Sequence, residues 1–432
     1  MNESSGRSGK AKLLPSGDIF PFILLASCFM WWGIANNMTD PLVQAFTGIF
    51  EGLSTFQSSL IQFAFYGAYC LLAIPGAVIA RKFGYKRGVL TGLGLYIVGC
   101  FLFIPAAQMQ AFFPFLAAFY VLAGGLSILE TNANPYVLVL GPEETATQRL
   151  NLAQSFNPVG AIIGTLLAQI LILAKLEAIE TGATAVDDVQ TAQLTIVVTP
   201  YLIVGGILLA VWLLIALTKM PSVVEQDRNV HFVPTVKRLM KIPNYLLAVV
   251  AQFFYVGAQI TVWTYTVYYV PDQLGITPSE TLQLFHLPAL ILFGIFRFVS
   301  TAVMSRIAPH RVLAFMAFTG VLLCAVMVWV GGIVGCYALV GVSACMSLMF
   351  PTIFGLGSRG LGEDTKIGGS GLIMAILGGA IITPIQGALV DLTSVSLSYI
   401  VPLICFAVIA AYALYAGKAK LPAAQVIVEV EQ

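Results

Sequence analysis

The stretch RKFGYKRGVL at residues 81–90 has a counterpart far along the chain, SRIAPHRVL at 305–313. Each is a basic loop that ends one long apolar run and opens the next. A second pair, NPYVLVLG at 134–141 and FPTIFGLG at 350–357, closes two more apolar runs. The offsets, about 224 and 216 residues, agree closely for matches this weak. A chain that was merely repetitive and apolar would have no reason to repeat its basic loops as well. The fold therefore has to accommodate two related halves.

Composition names the solvent of those halves. Of 432 residues, 59% are hydrophobic and 9% charged, with 40 glycines, whereas about a quarter of an ordinary soluble chain is charged. A soluble fold of this size could not hide so much apolar surface, so the chain reads as a membrane protein. Nearly uncharged runs of about 18 or more residues recur throughout. They predict twelve spans, at 20–46, 57–80, 88–108, 111–140, 150–174, 197–217, 244–270, 281–304, 311–331, 333–357, 368–391 and 397–417.

Charge tests that count. Lys and Arg gather at the two termini and in every second loop, among them RKFGYKR, PEETATQR, SRIAPHR and SRGLGEDTK. The intervening loops carry Lys175 as their one cation, with Glu177, Glu180, Asp187 and Asp188 beside it. The positive-inside rule places both termini in the cytoplasm, which requires an even number of spans. The expected class is an all-α integral membrane protein with both termini in the cytoplasm. Its parts are a tail at 1–19, a six-helix bundle at 20–217, a linker at 218–243, a second bundle at 244–417 and a tail at 418–432. Parallel halves about an axis normal to the membrane are the layout of the major facilitator fold, with the substrate site between them.

Several other classes drop out. The formal net charge of +1 offers nothing to nucleic acid, and the seven cysteines stand singly in apolar segments, as small buried hydrophobes do. The first 17 residues are polar and weakly basic, without the cleavage pattern of a secretory signal. No nucleotide loop, metal cluster or nucleophile–base pair stands out, so neither an enzyme nor a resident cofactor is expected. The expected partners are membrane lipid and a small molecule, bound by a functional monomer.

Polar residues inside the spans locate that small molecule. GIANNMTD, residues 33–40, interrupts the first apolar run with two asparagines, a threonine and a carboxylate. The charges within the spans are Asp40, Glu130 and Arg297, with Asp391 at the end of span 11. Each costs at least about 2.5–3.5 kcal/mol at the bilayer centre, so each needs a reason. Glu130 lies some ten residues, roughly 15 Å, from the end of span 4, which is the midplane. Desolvation favours the neutral form of a carboxyl there, so Glu130 can exchange a proton or serve as a permanently protonated helix tie. Asp40 lies deeper along span 1, where Pro41 can end or kink the helix; it reads either as a site residue or as an interfacial aspartate. Arg297 either pairs with a carboxylate or snorkels inward. His286, near the outer surface, is a weaker candidate for a proton relay.

Amides and aromatics accompany the carboxylates. Asn37 shares a helix face with Asp40, and Gln154 with Asn157, each pair being three residues apart. Asn36, Gln62, Asn132, Asn134, Asn151, Gln252 and Gln259 extend the set, with Trp31, Trp32, Tyr66, Phe156, Tyr255, Trp263 and Tyr265 as ring partners. Amides supply the paired donors and acceptors that vicinal sugar hydroxyls need, and ring faces suit the sugar's C–H face. Singly, such amides tie helices together more often than they bind ligand. Their concentration on spans 1, 4, 5 and 7 points to a monosaccharide cavity.

The segments ANNMTDPL, ILETNANPYVLVLGPE, RLNLAQSFNPVGAIIG, AQFFYVGAQ and PTIFGLGSRGLGEDTK resemble the fucose permease branch of the fucose–galactose–glucose:proton symporter family. The resemblance covers nearly the whole chain. It implies a major facilitator fold and proton-coupled monosaccharide uptake, most directly of L-fucose. It also implies that Asp40 and Glu130 are the essential carboxylates, with Glu130 coupling the proton and Asp40 on the substrate side. Asn37, Gln154 and Asn157 match the family's sugar-site amides. Glucose/galactose members carry glutamine where Glu130 stands, which favours the fucose branch. Two departures stand out. The wider superfamily has an aspartate at the position of Arg81, so its usual charge lock is not expected in that form. Phe350 replaces a tyrosine before the span 10 proline.

The site set expected from sequence is thus Asp40, Asn37, Glu130, Gln154, Asn157, Trp32, Gln259, Trp263 and Tyr265. Sodium in place of the proton, and a broader glucose/galactose carrier, stay open as readings. A membrane sugar sensor that moves nothing is the remote alternative.

Overall fold

The computed structural model describes residues 13–15, 17–50, 55–180, 188–221 and 232–419. The outer parts of both expected tails and residues 222–231 of the linker lie outside these residues. So do the side chains of Asp40 and Gln62, although both sit in helical backbone.

Among the described residues, twelve helical segments are long and apolar enough to cross a membrane. Span 1 is Ile19–Ile49, span 2 Thr55–Phe83, span 3 Tyr85–Gln108 and span 4 Phe112–Val139. Span 6 is Val189–Leu217 and span 7 Pro243–Leu274. The helix of span 8 is Leu287–Val303, span 9 is Pro309–Trp329 and span 12 Ile400–Ala416. Span 6 begins at Val189 where 197 was expected, because Asp188 caps the helix by accepting from the Thr191 N–H at 3.1 Å. Capping lets the helix run past its apolar stretch into polar sequence.

Spans 5, 10 and 11 depart from the expected continuous helices. Span 5 is split into Ala146–Gln154 and Phe156–Ala168. Span 10 is split into Gly332–Met346 and Met349–Gly357, and span 11 into Thr365–Met374 and Leu377–Leu392. In spans 5 and 10 a proline, Pro158 or Pro351, follows the break closely. Proline lacks an N–H and its ring crowds the carbonyl four residues back.

The first six spans pack on one another, span 3 on 4, 1 on 5 and 2 on 4; the last six do the same, span 9 on 12, 7 on 11 and 8 on 10. The two sets meet where span 11 packs on spans 2 and 4, and where spans 10 and 8 pack on span 5. Many of these cross-contacts lie toward the face that carries the cation-rich loops. Asn151 Nδ2 donates to Thr352 Oγ1 at 3.1 Å and Gln148 Nε2 to the Thr301 carbonyl at 3.3 Å. Arg149, fully buried, fixes loop 4–5 by donating to the carbonyls of Val137, Leu138, Gly141 and Pro142, and to Leu13 of the tail.

The repeated basic loop takes part in this closure in an unexpected sense. Arg81, where the superfamily has an aspartate, faces Asp364 at the start of span 11 across 3.6 Å. The loop thus carries an ion pair in which Arg81 is the cation and Asp364 the anion. Asp364 also receives Arg238 of the short helix Phe232–Leu239, through Nε at 3.0 Å and Nη2 at 2.8 Å. One carboxylate therefore joins the first set of spans, the second set and the connecting segment. Asp364→Asn leaves the buried Arg81 unpaired and is expected to lower stability by about 1–3 kcal/mol. A double-mutant thermal-unfolding cycle with Arg81→Gln checks it; fully additive effects would show that the pair is uncoupled.

Candidate functional site

Glu130 sits in span 4 about 14 Å from its cation-rich end at 1.5 Å per residue, and is 5% exposed. Its Oε2 is buried and has no hydrogen-bond partner among the described residues. Its polar neighbour is Asn134, one turn along the same helix. Asn134 Oδ1 in turn accepts from Gln154 Nε2 at 2.6 Å, which links span 4 to span 5. Tyr69 of span 2 lies within electrostatic reach of Glu130, and its hydroxyl accepts from Trp32 Nε1 of span 1. Glu130, Gln154 and Trp32 are thus brought into one polar network across spans 1, 2, 4 and 5.

Asn37 and Asn157 form a neighbouring seam. Asn37 Nδ2 donates to its own helix at the Gly33 carbonyl, 3.0 Å away, and Asn157 Nδ2 reaches the Phe29 carbonyl of span 1 at 3.4 Å. A Cβ on Gly33 would stand 2.3 Å from the Asn157 carbonyl, so spans 1 and 5 touch backbone to backbone there. Gln154 and Asn157 do not share one helix face as expected. The break at Ser155 sends Gln154 to span 4 and Asn157 to span 1.

The second half contributes less polarity. Gln259 and Trp263 lie one turn apart on span 7, both half-buried. Trp263 Nε1 donates to Ser343 Oγ at 3.2 Å, and its ring meets Phe293 edge-on. Tyr265 is not brought to this face. Its hydroxyl donates to the Thr383 carbonyl of span 11 at 3.1 Å, which makes it a helix tie. Asn132 is also a tie, donating to the carbonyls of Gly76 and Ile128. Gln252 is fully buried with neither amide end partnered among the described residues, which makes it a stronger ligand candidate than sequence suggested. His286 lies in a π turn, Leu282–His286, at the opposite face from the basic loops.

Of the two expected roles for Arg297, pairing with a carboxylate or snorkelling, neither is seen among the described residues. It is 3% exposed, lies 4.9 Å over the Phe293 ring, and donates to the backbone carbonyls of Ser347 and Gln154. Asn151, counted among the candidate sugar-site amides, instead ties the two halves, and sequence reasoning passed over its partner Thr352 and the acid Asp364, which do the same. The one available signal for Asp364 was the unusual Arg81, which calls for an acid opposite.

A buried acid at mid-depth in the first of two six-span sets, which are tied together at one face, defines a polytopic membrane protein of carrier architecture. The chain belongs to the Major Facilitator Superfamily, whose sequence profile matches residues 22–384. It is 42% identical to an L-fucose-proton symporter of Haemophilus influenzae, over 94% of this chain and 99% of that one. It is 35% identical to a glucose/galactose transporter of Brucella abortus, over 92% of this chain and 94% of that one. Its structure matches that of the Major Facilitator Superfamily transporter FucP in the outward conformation. The TM-score is 0.83 at 40% identity, covering 92% of this chain and 99% of that chain.

Proposed function

We propose that the protein is a proton-coupled symporter of a monosaccharide, L-fucose, working by alternating access in the bacterial inner membrane. The observation that carries this reading is Glu130, a mid-depth buried carboxyl with an oxygen unpartnered among the described residues, beside Asn134, whose Oδ1 accepts from the amide of Gln154. An acid so placed can take a proton from one side and lose it to the other, as intramembrane acids in proton-driven carriers do. The amides of Asn37, Gln154, Asn157 and Gln252, with Trp32 and Trp263, supply the hydrogen-bonding and ring surfaces for a sugar. Asp40 is proposed as a substrate-side partner on the ground of the family resemblance. The basic loops are taken as cytoplasmic, so the closed face is the inner one and both termini lie inside. The chain acts as a transporter without an enzymatic step or a resident cofactor.

The second reading, a glucose/galactose carrier, draws on the Brucella relative. Uptake of labelled L-fucose, D-galactose and D-glucose in one expression host decides between them, with a protonophore and with sodium withdrawn at fixed pH. L-Fucose is expected to accumulate, to be blocked by protonophore and to be indifferent to sodium. Accumulation that needs sodium, or that favours D-glucose, would overturn the assignment.

A further inference from the structure

Arg297 carries an inference beyond substrate and coupling ion. Span 5 contains QSFNP, residues 154–158, and span 10 contains SLMFP, residues 347–351. In each, the proline removes the N–H that would have bonded the carbonyl four residues earlier. Those carbonyls belong to Gln154 and Ser347. Both are claimed by one side chain from a third helix: Arg297 Nη1 donates to Gln154 O at 3.0 Å, and Nε donates to Ser347 O. The neighbouring carbonyl at the second break, Met346 O, is taken by the Tyr255 hydroxyl at 3.2 Å. The guanidinium is further held over the Phe293 ring.

Its position matters because Gln154 belongs to the first six spans, whereas Arg297 and Ser347 belong to the last six. The contact therefore crosses the plane along which the halves must part for the basic-loop face to open. Gln154 is also the residue whose side-chain amide reaches Asn134, the neighbour of Glu130. Its amide thus touches the acid's network while its carbonyl touches the cross-half contact. We propose that Arg297 is a positioning residue, a strut that holds the inner face closed by bridging the proline-freed carbonyls of spans 5 and 10. It must let go of Gln154 each time the carrier opens inward. A lysine cannot replace it, since one ammonium is a point charge where the guanidinium is a fork with fixed geometry.

The strut rests on the alternating-access reading, but it is tested without sugar or gradient. Lys82 and Arg306 are exposed at the inner ends of spans 2 and 8, in different halves. The native cysteines are buried apart from the half-buried Cys70, so spin labels can be directed to Lys82→Cys and Arg306→Cys. Pulsed-dipolar distances in the ligand-free protein are expected to show one short population. Arg297→Gln should add a longer one, shifting the open-to-closed ratio on the order of tenfold, and Arg297→Lys should give an intermediate shift. Pro158→Ala and Pro351→Ala restore the competing N–H groups and should shift the ratio in the same direction by less. They carry the test if the arginine variants do not fold. A distance distribution unchanged from the parent in all recovered variants would overturn the strut, whether or not they still transport. Failure of L-fucose uptake in the parent would instead count against the assigned substrate.

Discussion

Glu130→Gln is expected to keep sugar exchange and to lose accumulation. A proton carried inward across 100 mV is worth about 2.3 kcal/mol, which sustains a concentration ratio of roughly fifty at 1.36 kcal/mol per decade. Glutamine preserves the shape of the side chain and its ability to hydrogen-bond, but it cannot gain or lose the proton. The Asn134–Gln154 link can then persist, with the site fixed in its neutral form. Counterflow in proteoliposomes should stay within about threefold of the parent, while the imposed-gradient ratio should fall to about one. If the variant still concentrates sugar against its gradient, the coupling assignment is wrong. If both activities vanish, Glu130 is needed for the site itself rather than for coupling.

Much of the architecture was legible before any coordinates. The apolar runs predict the number of spans and the alternation of basic loops tests it, because charge placement obeys a simple physical preference that local packing does not alter. The midplane depth of Glu130 followed equally simply from counting residues along one helix. What sequence could not give was the destination of each polar side chain. Asn132, Asn134 and Gln154 look equivalent on paper, yet Asn132 ties span 4 to span 2 while the other two join Glu130's network. Tyr265 and Trp263 are two residues apart and so point to opposite faces, one toward span 11 and one toward spans 8 and 10. A proline inside a span does not by itself announce a break: span 5 breaks at Ser155, just ahead of Pro158. Pro135 and Pro200 do lie within unbroken helices. The proline shows which carbonyl is freed, but only the folded neighbour shows what takes it.

The seam between spans 1 and 5 carries the second large effect. A Cβ on Gly160 would stand 1.9 Å from the Met30 carbonyl, and one on Gly164 would stand 2.5 Å from the Ile34 carbonyl. Small residues four apart let membrane helices meet backbone to backbone. Nothing lies within 4 Å of a Cβ built on Gly206 in span 6, which serves as the control. Alanine gains up to about 1 kcal/mol of helix propensity over glycine, and at Gly206 that gain stands alone. At Gly160 it competes with a backbone overlap that no rotamer can relieve, and overpacking costs about 1–3 kcal/mol or more. Gly206→Ala should therefore match or exceed the parent in thermal stability, while Gly160→Ala should fall below it and Gly160→Leu should yield little folded protein. Forcing the helices apart also carries Asn37 away from Asn157. Gly160→Ala protein that does fold should show a KM for sugar raised about tenfold, as expected when roughly 1.4 kcal/mol of binding is lost, with kcat less affected. A Gly160→Ala carrier with parental stability and KM would show that the tight seam neither holds the fold nor sets the spacing of the amides.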